Sequence, residues 1–227
     1  MTGPAAASAG VAPFAVMDCA LITMATGFRA QTLREFRETL LKVPAGSIDH
    51  HFWGRLLRPQ FDEPEFNNDF ASWAQRGLHD KPLAERLSMV VPTDFAEREG
   101  LRQELLEVVE QRLEESEMLP WAPAEHQFQF LRSQIVVFDT GLRYSNPADL
   151  IPYLSTLSTG SIYYHFIDAR GRTVARCDDF SAWLEGFGER YAGLVLQLRS
   201  VDPYFSSLKE LRHVVTEIFQ GYFEEHP

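Results

Sequence analysis

The sequence predicts a mainly α-helical protein with a minor β element, an α+β fold made of two tandem homologous helical units related by pseudo-twofold symmetry. Three observations predict it. Gly46-Ser47-Ile48-Asp49-His50-His51-Phe52 returns 114 positions later as Gly160-Ser161-Ile162-Tyr163-Tyr164-His165-Phe166. Asp69-Phe70-Ala71-Ser72-Trp73 returns 110 positions later as Asp179-Phe180-Ser181-Ala182-Trp183. Each copy also closes on a long apolar stripe at helical spacing and contains only one short β-branched run. Repetition at this length sets the domain organisation before any single motif is weighed.

The register between the copies is kept across almost their whole length. At an offset of 114, Phe14 meets Phe128, Thr26-Gly27 meets Thr140-Gly141, Arg29 meets Arg143 and Leu40 meets Leu154. After about residue 60 the offset falls to 110, and Phe95 then meets Phe205, Leu101-Arg102 meets Leu211-Arg212 and Glu107 meets Glu217. These matches place a loose tail at 1–11, unit one at 12–118, a linker at 119–125 and unit two at 126–227. The linker region carries Pro120 and Pro123, which suits a short, tight connection.

Within each unit the elements follow in order. Ala20-Leu21-Ile22-Thr23-Met24 and Gln134-Ile135-Val136-Val137-Phe138 read as strands leading to a Thr-Gly turn, and the alternating Gln127-Phe128-Gln129-Phe130 extends the second. Leu33, Phe36, Leu40 and Leu41 then share one face of a helix over 31–41. Its counterpart opens at Ser145-Asn146-Pro147, with a capping side chain and a first-turn proline. Gly46 and Gly160 read as residues that end these helices. Asp69 and Asp179, or the preceding Asn68 and Asp178, begin a further helix that sets Phe70 and Trp73, or Phe180 and Trp183, on one side. The closing helices carry Leu101, Leu105, Val108, Val109 and Leu113 in unit one. In unit two they carry Leu208, Leu211, Val215, Ile218, Phe219 and Tyr222.

Composition narrows the function classes. The chain has 227 residues, 45% of them hydrophobic, and 17 phenylalanines, enough for packed interiors. A formal net charge of −11 with no basic run repels phosphate backbones and anionic lipid, so neither nucleic acid nor membrane is expected as a partner. No apolar run approaches the roughly 20 residues that span a bilayer. Residues 1–13 lack the basic start and apolar stretch of a secretory signal. Cys19 and Cys177 are unmatched between the copies and form no CxxC pair, which points to two reduced thiols in a cytoplasmic protein.

The residues with chemical potential are few. His51 and His165 recur, each ahead of a recurring Asp69 or Asp179, and His50 adds a second imidazole. Imidazole with carboxylate can serve acid–base chemistry or hold a metal ion; it can equally fasten a loop through backbone hydrogen bonds. A zinc site would show three or four closely spaced ligands, and neither HExxH nor paired CxxC is present, so no metal site and no cofactor is assigned. Trp73 and Trp183 either line a ligand pocket or belong to the core. Arg29 and Arg143, beyond the Thr-Gly pairs, either clamp an anionic ligand or tie the turn to a carboxylate. Dinucleotide-binding, P-loop and nucleophile-elbow motifs are all missing.

The run Asn67-Asn68-Asp69-Phe70-Ala71-Ser72-Trp73, followed by Leu78-His79-Asp80 and Leu83-Ala84, resembles a widespread prokaryotic module with a Tyr-His element, Asn-Asp-Phe-x-x-Trp and a Leu-x-Asp-x-x-Leu-Ala tail. Unit two supplies Tyr163-Tyr164-His165-Phe166 and Asp178-Asp179-Phe180-x-x-Trp183, and departs at the tail, where Gly188-Glu189-Arg190 stands. The whole chain is similar to an uncharacterised bacterial family in which two such units are joined. The resemblance implies an accessory or regulatory part, because the module commonly occurs attached to other domains, and it carries over no catalytic residue. The expectation is therefore a non-catalytic binding or regulatory protein recognising a protein partner or a small ligand at an inter-unit cleft. The competing expectation is a metal-dependent or acid–base enzyme using His51, His165, Asp69 and Asp179.

Overall fold

The computed structural model describes residues 10–57, 65–115, 118, 121–173 and 175–226. Residues 1–9 of the predicted tail and 119–120 of the predicted linker lie outside them. The α+β class holds: helices dominate, and the β component is a two-stranded sheet of β1 (Phe14–Thr32) and β2 (Pro123–Tyr144). Thr26 Oγ1 donates to the Phe130 carbonyl at 2.6 Å and Thr140 Oγ1 to that of Val16 at 2.6 Å. Moving forward along one strand thus moves backward along the other, so the pair is antiparallel.

Both strands are far longer than the β-branched runs suggest. Their outer parts bury alternate side chains, Phe14 and Val16 of β1 and Phe128 and Phe130 of β2, with Ala124 buried on the same face and His126 exposed between. The Thr-Gly pairs are not turns. Gly27 (φ 83°) and Gly141 (φ 77°) sit inside continuous strands in the left-handed region, as glycine does at the first position of a G1 bulge. Thr26 and Thr140 accept the N–H of the residue two further on and so keep the chain extended.

The chain divides into two compact units. The central unit is Ala20–Val136; the terminal unit combines Met1–Cys19 with Val137–Pro227. The boundary therefore falls inside β1 and inside β2, and each unit takes one end of each strand. This partition differs from boundaries at 12–118 and 126–227. The start of β1 belongs with the helices of the second half, and the start of β2 with those of the first. Sequence matching follows covalent order and is blind to such an exchange.

In the central unit, α1 (Leu33–Leu40) buries Leu33, Phe36 and Leu40 under an N-cap from Thr32. Next come α2 (Ala45–Trp53), α3 (Asp69–Arg76), α4 (Lys81–Ser88) and the long α5 (Arg98–Glu114), whose buried face is Leu101, Arg102, Leu105, Leu106 and Val109. In the terminal unit, α6 (Pro147–Leu154) opens as predicted, with the Asn146 side chain accepting from Ala148 N–H and Pro147 in the first turn. Then come α7 (Thr159–Ile162), a π-helical stretch Tyr163–Asp168, α8 (Ala169–Arg172), α9 (Asp179–Glu185), α10 (Ala192–Arg199) and α11 (Leu208–Glu225), the last with a Ser207/Glu210 capping box. Gly46 and Gly160 lie in the first turns of α2 and α7 instead of ending the preceding helices. Gly160 is there for room: a Cβ at this position would lie 2.2 Å from Asp18 Oδ1 and 2.3 Å from the Cys19 carbonyl of β1. No helix among the described residues is long and apolar enough to cross a membrane.

Candidate functional site

In the central unit, α2 delivers His51 and α3 delivers Asp69 and Trp73 to the incoming end of β2. His51 is buried, and its Nδ1 lies 2.8 Å from Asp69 Oδ2. Its Nε2 lies 3.1 Å from the Leu131 backbone nitrogen. An amide N–H can only donate, so Nε2 must be the acceptor, and the ring proton sits on Nδ1, donated to the carboxylate. Trp73, 4% exposed, donates its indole N–H to the His126 carbonyl at 2.9 Å. Between these two anchors the Phe128 ring is enclosed by His51, Phe70 and Trp73 at centroid distances of 4.7, 5.4 and 5.5 Å. Ser47 Oγ adds a donor to the Leu131 carbonyl at 2.6 Å.

The terminal unit repeats this construction. His165 Nδ1 is 2.8 Å from Asp179 Oδ2, and its Nε2 accepts the Met17 N–H at 2.9 Å. Trp183 Nε1 donates to the Ala12 carbonyl at 2.9 Å. Phe14 lies among His165, Phe180 and Trp183 at 4.9, 5.0 and 5.1 Å. In both units the helices hold an extended segment by the carbonyl two residues before a phenylalanine and the amide three residues after it.

Asp69 and Asp179 are partners of histidine, not helix caps. Capping falls to the residue before: Asn68 Oδ1 accepts from Ala71 N–H at 2.8 Å and Asp178 Oδ1 from Ser181 N–H at 2.8 Å. Asp178 is fully buried, and burial pushes its carboxyl above the usual range despite two bonds from Ser181. Trp73 and Trp183 are buried in the core. Arg29 is exposed on β1. Arg143 is exposed on β2 and pairs with Asp139 at 2.6 Å, which holds that carboxyl down at about 2.

The two constellations differ in their surroundings. His50, Nδ1 at 2.5 Å from Ser133 Oγ, stands edge-on to His51. Tyr164 stands in the same relation to His165. His50, His51 and Asp69 bring potential metal-ligand atoms within 4.8 Å of one another. The chemistry of the set opposes a metal: the Nε2 lone pair of His51 already receives an amide proton, and its Nδ1 carries one. The same occupancy leaves neither histidine a free basic nitrogen for a substrate proton. In the terminal unit Asp179 also receives Arg172 at 2.8 Å, while the guanidinium lies 3.9 Å over the Tyr164 ring and bonds Asp168 at 2.6 Å.

Sequence reasoning missed Arg172. The signal was there: Arg58 follows His51 at the same seven-residue spacing, though Arg58 lies outside the described residues. It also missed Asp80, whose carboxylate caps α4 through Leu83 N–H and takes Arg112 of α5 at 2.8 Å. That pair, with Asp80 buried and Arg112 half-buried, gives the Leu-His-Asp tail a structural role. Cys19 donates to the Gly160 carbonyl at 3.2 Å, and burial, reinforced by Asp18 and Asp168, pushes its thiol up to about 12.

A profile of a family described as a family of unknown function, DUF5752, matches residues 11–220. The structure of OrfY from Thermoproteus tenax is similar, with a TM-score of 0.79 and 26% sequence identity over 93% of this chain and 96% of that one. No curated protein matches the chain.

Proposed function

The chain belongs to the DUF5752 family, whose function is unknown, and from that premise we propose that it is a non-catalytic binding or regulatory protein of the cytoplasm, descended from an internal duplication of one helical unit. The observation that carries this reading is the occupancy of the imidazoles. In His51 and His165 both ring nitrogens are engaged, Nδ1 by the aspartate and Nε2 by a strand amide, which supports a structural role for the His/Asp pairs over an acid–base or metal-dependent one. Recurrence of the same anchors 114 and 110 positions apart supports the duplication.

The partner is a protein. Apolar side chains stand in solvent on the strands: Ile22 and Phe28 of β1 are 51% and 38% exposed, and Phe138 and Leu142 of β2 are 51% and 43% exposed. Apolar groups exposed on paired strands fit a partner surface, and the net charge of −11 disfavours nucleic acid and anionic lipid.

Three measurements test the proposal. Metal analysis of the purified protein should find less than stoichiometric zinc, manganese or iron; a stoichiometric ion lost on Asp69→Asn would establish the metal-dependent alternative. A photo-crosslinking residue at Phe138 should give a discrete protein adduct in cells. A ligand-stabilisation screen with strong hits and no adduct would make the partner a small molecule, and neither adduct nor hit would end the binding reading.

A further inference from the structure

The anchors in each unit define a receptor for an extended segment, and its occupant comes from the opposite half of the chain. The α2–α3 cleft reads the backbone at two points, the His126 carbonyl and the Leu131 amide. The matching cleft of the terminal unit reads the Ala12 carbonyl and the Met17 amide. Five residues separate the points in both cases, roughly 16 Å of extended chain. A donor at one end and an acceptor at the other fix the direction of the strand. The phenylalanine between them supplies the buried ring: Phe128 is 5% exposed and Phe14 is 5% exposed. Side-chain specificity is confined to that ring and to the residue two further on, Phe130 at 1% or Val16 at 1%. Backbone reading with alternate side-chain pockets is how strand-accepting proteins bind a separate peptide.

We infer that this recognition does not need a covalent link: the first half, ending near Met118, and the second, beginning near Trp121, complete each other's clefts as separate polypeptides. Neither half holds the segment its own helices require in this arrangement. Phe14 travels with α1–α5 but packs under α9, and Phe128 travels with α6–α11 but packs under α3. The partner of a free half is thus a second polypeptide carrying the complementary half.

The test uses the full chain. A protease-recognition sequence is inserted between Met118 and Trp121, which are 77% and 67% exposed, and the folded protein is then cut. The two fragments should co-elute at the mass of the intact chain. Their urea midpoint should rise with protein concentration, because each compact unit then contains parts of both molecules. The uncut protein should show a concentration-independent midpoint. In the cut protein Trp73→Phe keeps an aromatic ring but removes the indole donor, and should weaken fragment association several-fold, the worth of one neutral hydrogen bond. Phe128→Ala should weaken it at least a hundred-fold, with the uncut variant's circular dichroism as the folding control. Fragments that elute apart, a concentration-independent midpoint after cutting, or association indifferent to Trp73→Phe would each overturn the inference.

Discussion

Replacing Phe128 with alanine loosens the helices of the first half, although Phe128 belongs by sequence to the second. Its ring is 5% exposed and contacts Phe36, His51, Phe70, Trp73 and Phe130, all within the central unit. Truncating a buried phenylalanine costs about 3–5 kcal/mol, the lost transfer energy plus the cavity left behind. At about 1.4 kcal/mol per decade, amides that exchange through opening of the central unit should exchange about a hundred- to several-thousand-fold faster. Native-state hydrogen exchange reads this residue by residue. The amides of α1–α5 and of Leu131 should lose protection, while those of α9–α11 keep most of theirs. Phe14→Ala should produce the reverse pattern, because its ring lies against His165, Phe180 and Trp183. If Phe128→Ala instead exposed α9–α11 and spared α1–α5, the exchanged-strand assignment would be refuted.

Three other outcomes are expected. Asp69→Ala should lower stability by about 1–3 kcal/mol in thermal or urea melts, since it strands the buried Nδ1–H of His51; an unchanged melt would remove the carboxylate from the anchor. Asp178→Asn keeps the cap but removes a buried charge. Because burial raises the folded carboxyl above its unfolded value, wild type loses stability as pH rises through that raised value, so the variant should melt higher than wild type at pH 7. The gain should vanish below about pH 4, where the carboxyl is neutral in both states; a gain that grew in acid would reverse the sign of the argument. Cys19, buried and with its thiol pushed up to about 12, should resist iodoacetamide at pH 8 in the folded protein and react once it is unfolded in urea; rapid native labelling, traced to Cys19 by peptide mapping, would contradict its placement.

The sequence displays its helices well because their signals are local. Leu33, Phe36 and Leu40 mark α1 by spacing, Asn146-Pro147 starts α6, and the stripe from Leu208 to Tyr222 marks α11. The strands were only partly legible. Their cores carry β-branched runs and Gln127–Phe130 shows its alternation, but Phe14–Met17 and Ala124–His126 carry no such local signal and are held by contacts with helices far away in sequence. Gly46 and Gly160 misled because a glycine after a helix and one in the first turn of the next look alike without tertiary context. The candidate site shows the same division. His51 with Asp69, and His165 with Asp179, were visible as recurring pairs, and the structure brings each pair to 2.8 Å. What they hold was not visible, because the Leu131 and Met17 amides lie 80 and 148 residues from their imidazoles. Arg29 and Arg143 recur as clearly as the histidines yet stand exposed on the strands, so recurrence alone did not separate anchors from surface.

Long-range proton–nitrogen NMR of the imidazoles tests the central claim most directly. His51 and His165 should appear as the Nδ1–H tautomer, with each Nε2 accepting a hydrogen bond from the Leu131 or Met17 amide. Spectra in which either Nε2 carries its own proton, or shifts on addition of zinc, would mean that these histidines do something other than hold a strand.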